Sequence, residues 1–238
     1  MEKTALVCAL CVGSLLAVWG PTLAILRRHI PLWLLCISGS LLRIGLFLWS
    51  SLFAAPQHAD SYKFYYPQAK AALRAGQALF DVRTHYSPLF PYLASVSVRV
   101  YDSPASIVAM MVLCEIASLW LVLGLVRRCF DAEPAFRIVW LYALNPIPVY
   151  WSCVSGHNGA LIHCFLLMAM LLFLRHRDQM SGLLMGTALA VTKCLVAVLH
   201  VPFLFVSRRS GRFALFAVGV PALLFLGAAV LNGRGGGG

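Results

Sequence analysis

Seven apolar stretches, at 4–26, 31–55, 105–126, 136–154, 159–174, 180–206 and 213–231, are separated by short loops that carry most of the chain's arginines. Most of them approach the roughly 20 residues that a helix needs to cross a bilayer. A chain built this way is expected to fold as an all-α, polytopic transmembrane helical bundle of about seven or eight segments. Composition points the same way: the chain is 61% hydrophobic and 11% charged, with a mean hydropathy of +0.84, whereas a soluble domain carries about 25% charged residues. The reading is one transmembrane domain over 1–231 and a Gly-rich tail at 232–238.

A net charge of +11 in a soluble protein would suggest nucleic acid. Here the basic residues cluster between apolar runs, and the positive-inside rule accounts for them without a nucleic-acid partner. Arg27–Arg28–His29, Arg127–Arg128, Arg175–His176–Arg177 and Arg208–Arg209 with Arg212 are assigned to the cytoplasmic face, which leaves 56–104 as the first non-cytoplasmic loop. The run at 4–26 is too long for the 7–15-residue core of a signal peptide, no small-residue cleavage site follows it, and Arg27–Arg28 reads as a stop. The eight cysteines lie mostly inside apolar segments and read as small membrane hydrophobes, not as a disulfide framework. No metal site or cofactor is indicated; Cys8 and Cys11 have the spacing of a metal motif but lack a second pair.

The stretch 180–206 conflicts with a simple count. A single tilted crossing would place Arg208, Arg209 and Arg212 outside; a hairpin with its tip near Lys193 would return them to the cytoplasm. Each arm would have about 12–13 residues, or roughly 18–20 Å, too short for a core of about 30 Å. A short re-entrant hairpin is therefore expected, its tip tolerated only where it is buried or lines a wet cavity. Lys193 stands at that tip, either facing a cavity or snorkelling to the interface. Upstream, Pro146 and Pro148 should kink or unwind the segment 136–154, and the turn Ser155–Gly156–His157–Asn158 follows. The Asp60 loop, the His157–Asn158 turn and the Lys193 tip all converge on the non-cytoplasmic face.

Within the first loop, Phe64 to Ala75 suits an amphipathic interfacial helix, with Lys63, Lys70 and Arg74 on one face and Tyr65, Ala69, Ala72 and Leu73 on another. Gly76 is a plausible stop, and Pro88 and Pro91 bound an aromatic-rich turn leading back to the membrane. Asp60 is the only acidic residue of the loop before that helix. If an acceptor needs a base outside the cytoplasm, Asp60 and Asp81 are the candidates, and nearness to the membrane favours Asp60; the alternative is a solvated loop aspartate. Glu115, in the middle of a segment, requires a neighbouring helix or a partner subunit, since an unpartnered carboxylate there costs about 2.5–3.5 kcal/mol.

The order of these features, from "AKAALRAGQALFDVRTHYSPLFPYL" through "LNPIPVYWSCVSGHNGALI" to "GLLMGTALAVTKCLVAVLHVPFLF", resembles the polytopic GT-C glycosyltransferases. The likeness runs from about residue 40 to 206 and is nearest to mannosyltransferases that use a polyprenyl or dolichyl phosphate sugar, including the glycosylphosphatidylinositol mannosyltransferase type. It implies a GT-C-like bundle, a lipid-linked sugar donor and a glycolipid or protein acceptor, with Asp60 as catalytic base. It also implies that Tyr62, Tyr65 and Tyr66 shape the acceptor side, that His85 and Tyr86 form the matching turn, and that Asn145, His157, Asn158 and Lys193 form the inner motifs. Lys193 and Arg83 would hold the lipid phosphate, as cationic donors do. The chain departs from the family pattern at Ala59–Asp60–Ser61 and at Gly159, where a second carboxylate is common, and stops after about seven segments, as a truncated or split form would.

Three functions follow as alternatives. The first is a hexosyltransferase, of mannose, in the endoplasmic reticulum membrane of a eukaryote or the inner membrane of a bacterium. The second is a non-catalytic membrane subunit of a glycolipid-handling complex, resembling the polytopic subunit of glycosylphosphatidylinositol transamidase and implying a partner subunit. A transporter is disfavoured because no internal repeat is visible. Membrane lipids are partners in all three.

Overall fold

The computed structural model describes residues 30–53, 60–75, 89–191, 203 and 210–234. Every regular element among them is helical. In chain order these are α1 (Leu32–Phe53), a π-helical turn (Ser61–Tyr65) running into α2 (Tyr66–Ala75), α3 (Phe90–Val100), α4 (Pro104–Cys129), α5 (Ala132–Leu144), α6 (Pro146–Cys153), α7 (Gly159–Leu174), α8 (Asp178–Val191) and α9 (Ser210–Arg234). The run at 4–26, Gly76 and the part of the expected hairpin around Lys193 lie outside the described residues.

The central helix is α4. Ser103 caps it by accepting a hydrogen bond from the Ala105 backbone N–H at 3.2 Å, Pro104 supplies a preset φ in the first turn, and Arg127 and Arg128 face the negative end of its dipole in the last. Its Cys129 half packs Leu119, Val122 and Val126 against Leu35 and Cys36 of α1 and Phe136 and Val139 of α5. Its Pro104 half packs Ile107 and Met111 against Tyr65, Ala69, Phe90 and Ala94, and against Ala160, Leu161 and Val191. The two clusters give each neighbour a direction: α7 runs parallel to α4, with Ala160 beside Met111 and Leu171 near Gly124, whereas α8 runs back and ends at Val191 in the Pro104-side cluster.

Prolines set two local features, the first expected from the sequence and the second not. The segment expected at 136–154 breaks at Asn145, one residue before the first proline, because a residue preceding proline is pushed out of the helical region. Asn145 takes extended angles (φ −62°, ψ 115°) and its side chain caps α6, accepting from the Ile147 N–H at 3.1 Å. The stretch after Pro88, expected to be a turn, contains the three-turn helix α3; Pro91 stands in its first turn, where proline costs no hydrogen bond.

Helices α8 and α9 pack through small residues. Gly182 and Gly186, four apart on α8, let the backbone of α9 approach so closely that a Cβ would lie 2.6 Å from the Phe213 carbonyl and 2.7 Å from that of Phe216. This is the small-xxx-small arrangement of membrane helix pairs. The contact order, Gly182 to Phe213 and Gly186 to Phe216 and Pro221, makes α9 parallel to α8. Arg212 consequently lies at the same end of the bundle as Arg175–Arg177, and Phe203 packs against Phe173 and Phe213 near that end.

Two helices, α1 over Leu32–Leu52 and α4, are long and apolar enough to cross a membrane; α7 and the Gly211–Gly227 part of α9 are apolar but shorter. Large apolar side chains point outward along α1 and α9, Leu52 and Leu223 each 73% exposed. Long apolar helices that present such side chains to the surroundings mark a membrane protein.

Candidate functional site

The π-helical turn begins one residue after Asp60, and its first residue is the contact that seats it. Ser61 is fully buried against the turn that joins α6 to α7. Gly156 in that turn has φ +66°, and a Cβ there would fall 2.9 Å from Ser61 Oγ, 3.0 Å from Ser61 Cβ and 2.9 Å from Val108 Cγ2. Only glycine meets both the left-handed backbone and the close approach. The Asp60 loop and the His157–Asn158 turn, nearly 100 residues apart in sequence, are thereby docked on one another.

Within this junction the polar groups are arranged unevenly. Asp60 is partly exposed. The Ser61 hydroxyl and the Asn158 side-chain amide nitrogen are buried with no hydrogen-bond partner among the described residues. His157 Nδ1 accepts the Gly159 N–H at 3.2 Å, so its neutral form carries the proton on Nε2. Its ring meets Trp151 edge to face at 5.5 Å.

The tyrosines of the first loop divide. Tyr62 is partly exposed beside Asp60, and burial pushes its phenol upward. Tyr65 is fully buried, its ring edge-on to Phe90 at 4.7 Å, and serves the core. Tyr66 donates its hydroxyl to Asp102 Oδ1 at 2.8 Å, while Lys70 donates to Asp102 Oδ2 at 2.6 Å. This network ties α2 to the loop before α4. The Lys70 bond, then the Tyr66 bond, hold the Asp102 carboxyl below the usual carboxylate range; the bond to Asp102 raises the Tyr66 phenol. Of the expected apolar face, Tyr65, Ala69 and Ala72 are buried, but Leu73 points outward.

Behind the His157 turn, a cavity of about 560 Å³ is lined by Asn145, Trp151, His157, Glu115, Tyr142 and His163 among others. Asn145 and His157 were expected from sequence; Glu115, Tyr142 and His163 were not. Glu115 is fully buried and meets Arg43 of α1, also fully buried, through Glu115 Oε2 at 3.4 Å from both Nε and Nη2. Arg43 also donates from Nη1 to the carbonyls of Gly39 and Ala143, at 3.1 and 3.0 Å, and from Nη2 to that of Tyr142 at 3.2 Å. The neighbouring helix that Glu115 required is thus α1. A signal for the pair existed: two opposite charges, each stranded within an apolar stretch.

Arg83, His85, Tyr86 and Lys193 lie outside the described residues. Val191, two residues before Lys193, is buried in the cluster that holds Tyr65 and Ala160. Among the described residues no group of three His, Cys, Asp or Glu side chains has the geometry to hold a metal ion.

A family model described as alpha-(1->6)-mannopyranosyltransferase, N-terminal domain, matches residues 55–208, well over half of the chain. No curated protein and no solved structure matches it. The matched span begins just before Asp60 and includes α2 to α8, and so contains both docked loops and the cavity.

Proposed function

The chain belongs to the alpha-(1->6)-mannopyranosyltransferase family, and from that premise we propose that it moves mannose from a polyprenyl or dolichyl phosphate carrier onto an acceptor hydroxyl at the membrane, with Asp60 as base. In this reading the acceptor oxygen attacks C1 of the mannose, the bond from C1 to the phosphate oxygen breaks, and the lipid phosphate leaves with that electron pair. The hydroxyl proton passes to the Asp60 carboxylate. Such a base contributes about 10²–10⁴-fold when it lies within hydrogen-bond reach of the acceptor. An α-linked product formed with inversion requires a β-linked donor, and a 1→6 linkage requires a primary hydroxyl as acceptor.

The observation that carries the proposal is the seating of Ser61 on Gly156, which holds the Asp60 loop against the His157 turn and beside the cavity. Lys193, and with it Arg83, is proposed to hold the carrier phosphate. Support for Lys193 comes from the path of α8: it ends at Val191 on the Asp60 side, while Phe203 is back beside Phe173 at the opposite end. The proposal includes the short re-entrant hairpin expected from the sequence, which lies outside the described residues and would return Arg208 and Arg209 to the side of Arg212, in keeping with the positive-inside bias. The GT-C-like bundle of seven or eight segments, with 56–104 as its first outer loop, is part of the same proposal.

The test is donor identity. Membranes containing the chain are supplied with labelled mannose on a polyprenyl phosphate or on a nucleotide. Transfer from the lipid-linked donor that persists when nucleotide-sugar synthesis is blocked is the expected result. Transfer from the nucleotide alone, or from neither donor, overturns the proposal.

A further inference from the structure

We infer that Arg43 and Ser50 of α1 are positioning residues of the site: they supply the hydrogen-bond donors that the chain lacks at the two ends of α6, and so hold that helix and the His157 turn after it in place. In an α-helix each carbonyl accepts from the N–H four residues on. The segment around α6 breaks that rule twice. Pro146 has no N–H to offer the Tyr142 carbonyl, and the Ile147 N–H, which would serve Ala143 in an unbroken helix, turns to Asn145 Oδ1. At the far end of α6 the His157 N–H would serve Cys153, but it donates to the Trp151 carbonyl at 2.8 Å. Three carbonyls thereby lose their helical donors in a stretch read as lying within the bilayer, where no water replaces them.

Helix α1 meets all three. Arg43 donates from Nη2 to the Tyr142 carbonyl at 3.2 Å and from Nη1 to the Ala143 carbonyl at 3.0 Å. Two turns further along the same face, Ser50 Oγ lies 2.9 Å from the Cys153 carbonyl and 3.0 Å from that of Phe47 in its own helix, so its one hydrogen is shared between them. Both side chains are buried. The part played by Glu115 follows: by accepting from Nε and Nη2 through Oε2, it orients the planar guanidinium so that the remaining N–H groups can reach α5. The cation also faces the negative end of the α5 dipole. Held at both ends, α6 sets Pro148, Trp151 and Ser152 in the cavity wall and delivers the chain to Gly156 and His157. Helix α1 ends at Phe53, before the matched span of 55–208, so the family match assigns it no role.

The inference holds whatever group the site transfers, and its test needs no donor and no turnover, so that failure here and failure of the transfer assay are separate events. Amide hydrogen exchange of the full chain in detergent is followed by mass spectrometry. Removing Arg43 alone would strand the Glu115 charge, so the two are replaced together in Arg43→Leu/Glu115→Leu; Ser50→Ala, which leaves no buried charge, carries the test independently. In each variant exchange over residues 149–158 should rise by about tenfold or more, the effect of leaving a buried carbonyl without its donor, while α8 and α9 keep wild-type rates. Adding Pro146→Ala to the Arg43→Leu/Glu115→Leu pair restores a backbone N–H for the Tyr142 carbonyl and should return part of the protection. Wild-type exchange over 149–158 in either variant, an increase spread evenly along the chain, or no recovery on restoring the N–H at 146 would overturn the inference.

Discussion

Replacing Gly156 by alanine probes the contact on which the site depends. The new Cβ would sit 2.9 Å from Ser61 Oγ and 2.9 Å from Val108 Cγ2, in a backbone conformation of φ +66°. The left-handed conformation costs a residue with a Cβ about 1–2 kcal/mol. Overpacking a buried contact adds about 1–3 kcal/mol. Neither neighbour yields easily, since Ser61 is fully buried and Val108 is in the core. Destabilisation of about 2–5 kcal/mol is therefore expected, read as a lowered thermal unfolding midpoint in detergent. The second readout is mannosyl transfer. If the Asp60 loop is lifted by about 1 Å from the His157 turn, the rate should fall by roughly 10²-fold. Adding Ser61→Gly removes two of the three close atoms while leaving the φ strain and Val108. The double variant should recover part of both losses, with a coupling of about 0.5–3 kcal/mol. Wild-type stability and transfer in Gly156→Ala, or strict additivity in the double variant, would refute the docking of the two loops.

Three further outcomes are expected. Arg43→Leu, which strands the Glu115 carboxylate, should cost about 3–5 kcal/mol of stability, whereas the double variant Arg43→Leu/Glu115→Leu should recover much of it; thermal unfolding of both measures this. Gly186→Ala should loosen α8 from α9 by about 1–3 kcal/mol, because its Cβ would meet a backbone carbonyl that cannot rotate away, and disulfide trapping between engineered cysteines on the two helices reads the loss. Asp102 has a lowered folded pKa, so its contribution is present above the unfolded value near 4 and lost as pH falls through the folded one. Proteolytic protection of the α2 region should drop across that acidic window in the wild type, and Asp102→Asn should flatten the dependence.

The long apolar helix α4 was legible because a bilayer imposes a length and an apolar composition on a crossing: read at 105–126, it begins one residue earlier and ends three later, and the shorter apolar helix α7 occupies the residues read for it. The break before α6 was legible to within a residue, since proline constrains both itself and its predecessor. Helix α3 was not, because two prolines and a row of aromatics suit a turn as well as a helix start; burial of Phe90 and Ala94 against α2 and α4 decides it. In the site, the residue types Asp60, His157 and Asn158 stood out as polar islands in an apolar chain. Glu115 stood out as a stranded charge too, but its pairing with Arg43 was not legible, as pairing across 72 residues depends on the register of α1 against α4, which neither helix encodes alone. The reason for Gly156 was equally invisible: nothing local distinguishes a turn glycine from one that receives Ser61 from a distant loop.

The most direct test of the account is the single-turnover rate of mannosyl transfer from a polyprenyl phosphate donor by Asp60→Asn, compared with wild type of matched folding and donor binding. The exchange removes the proton acceptor and keeps the side chain's size. The account predicts a loss of about 10²–10⁴-fold with donor binding intact. A rate within a few-fold of wild type would contradict it and leave the docked loops without their chemistry.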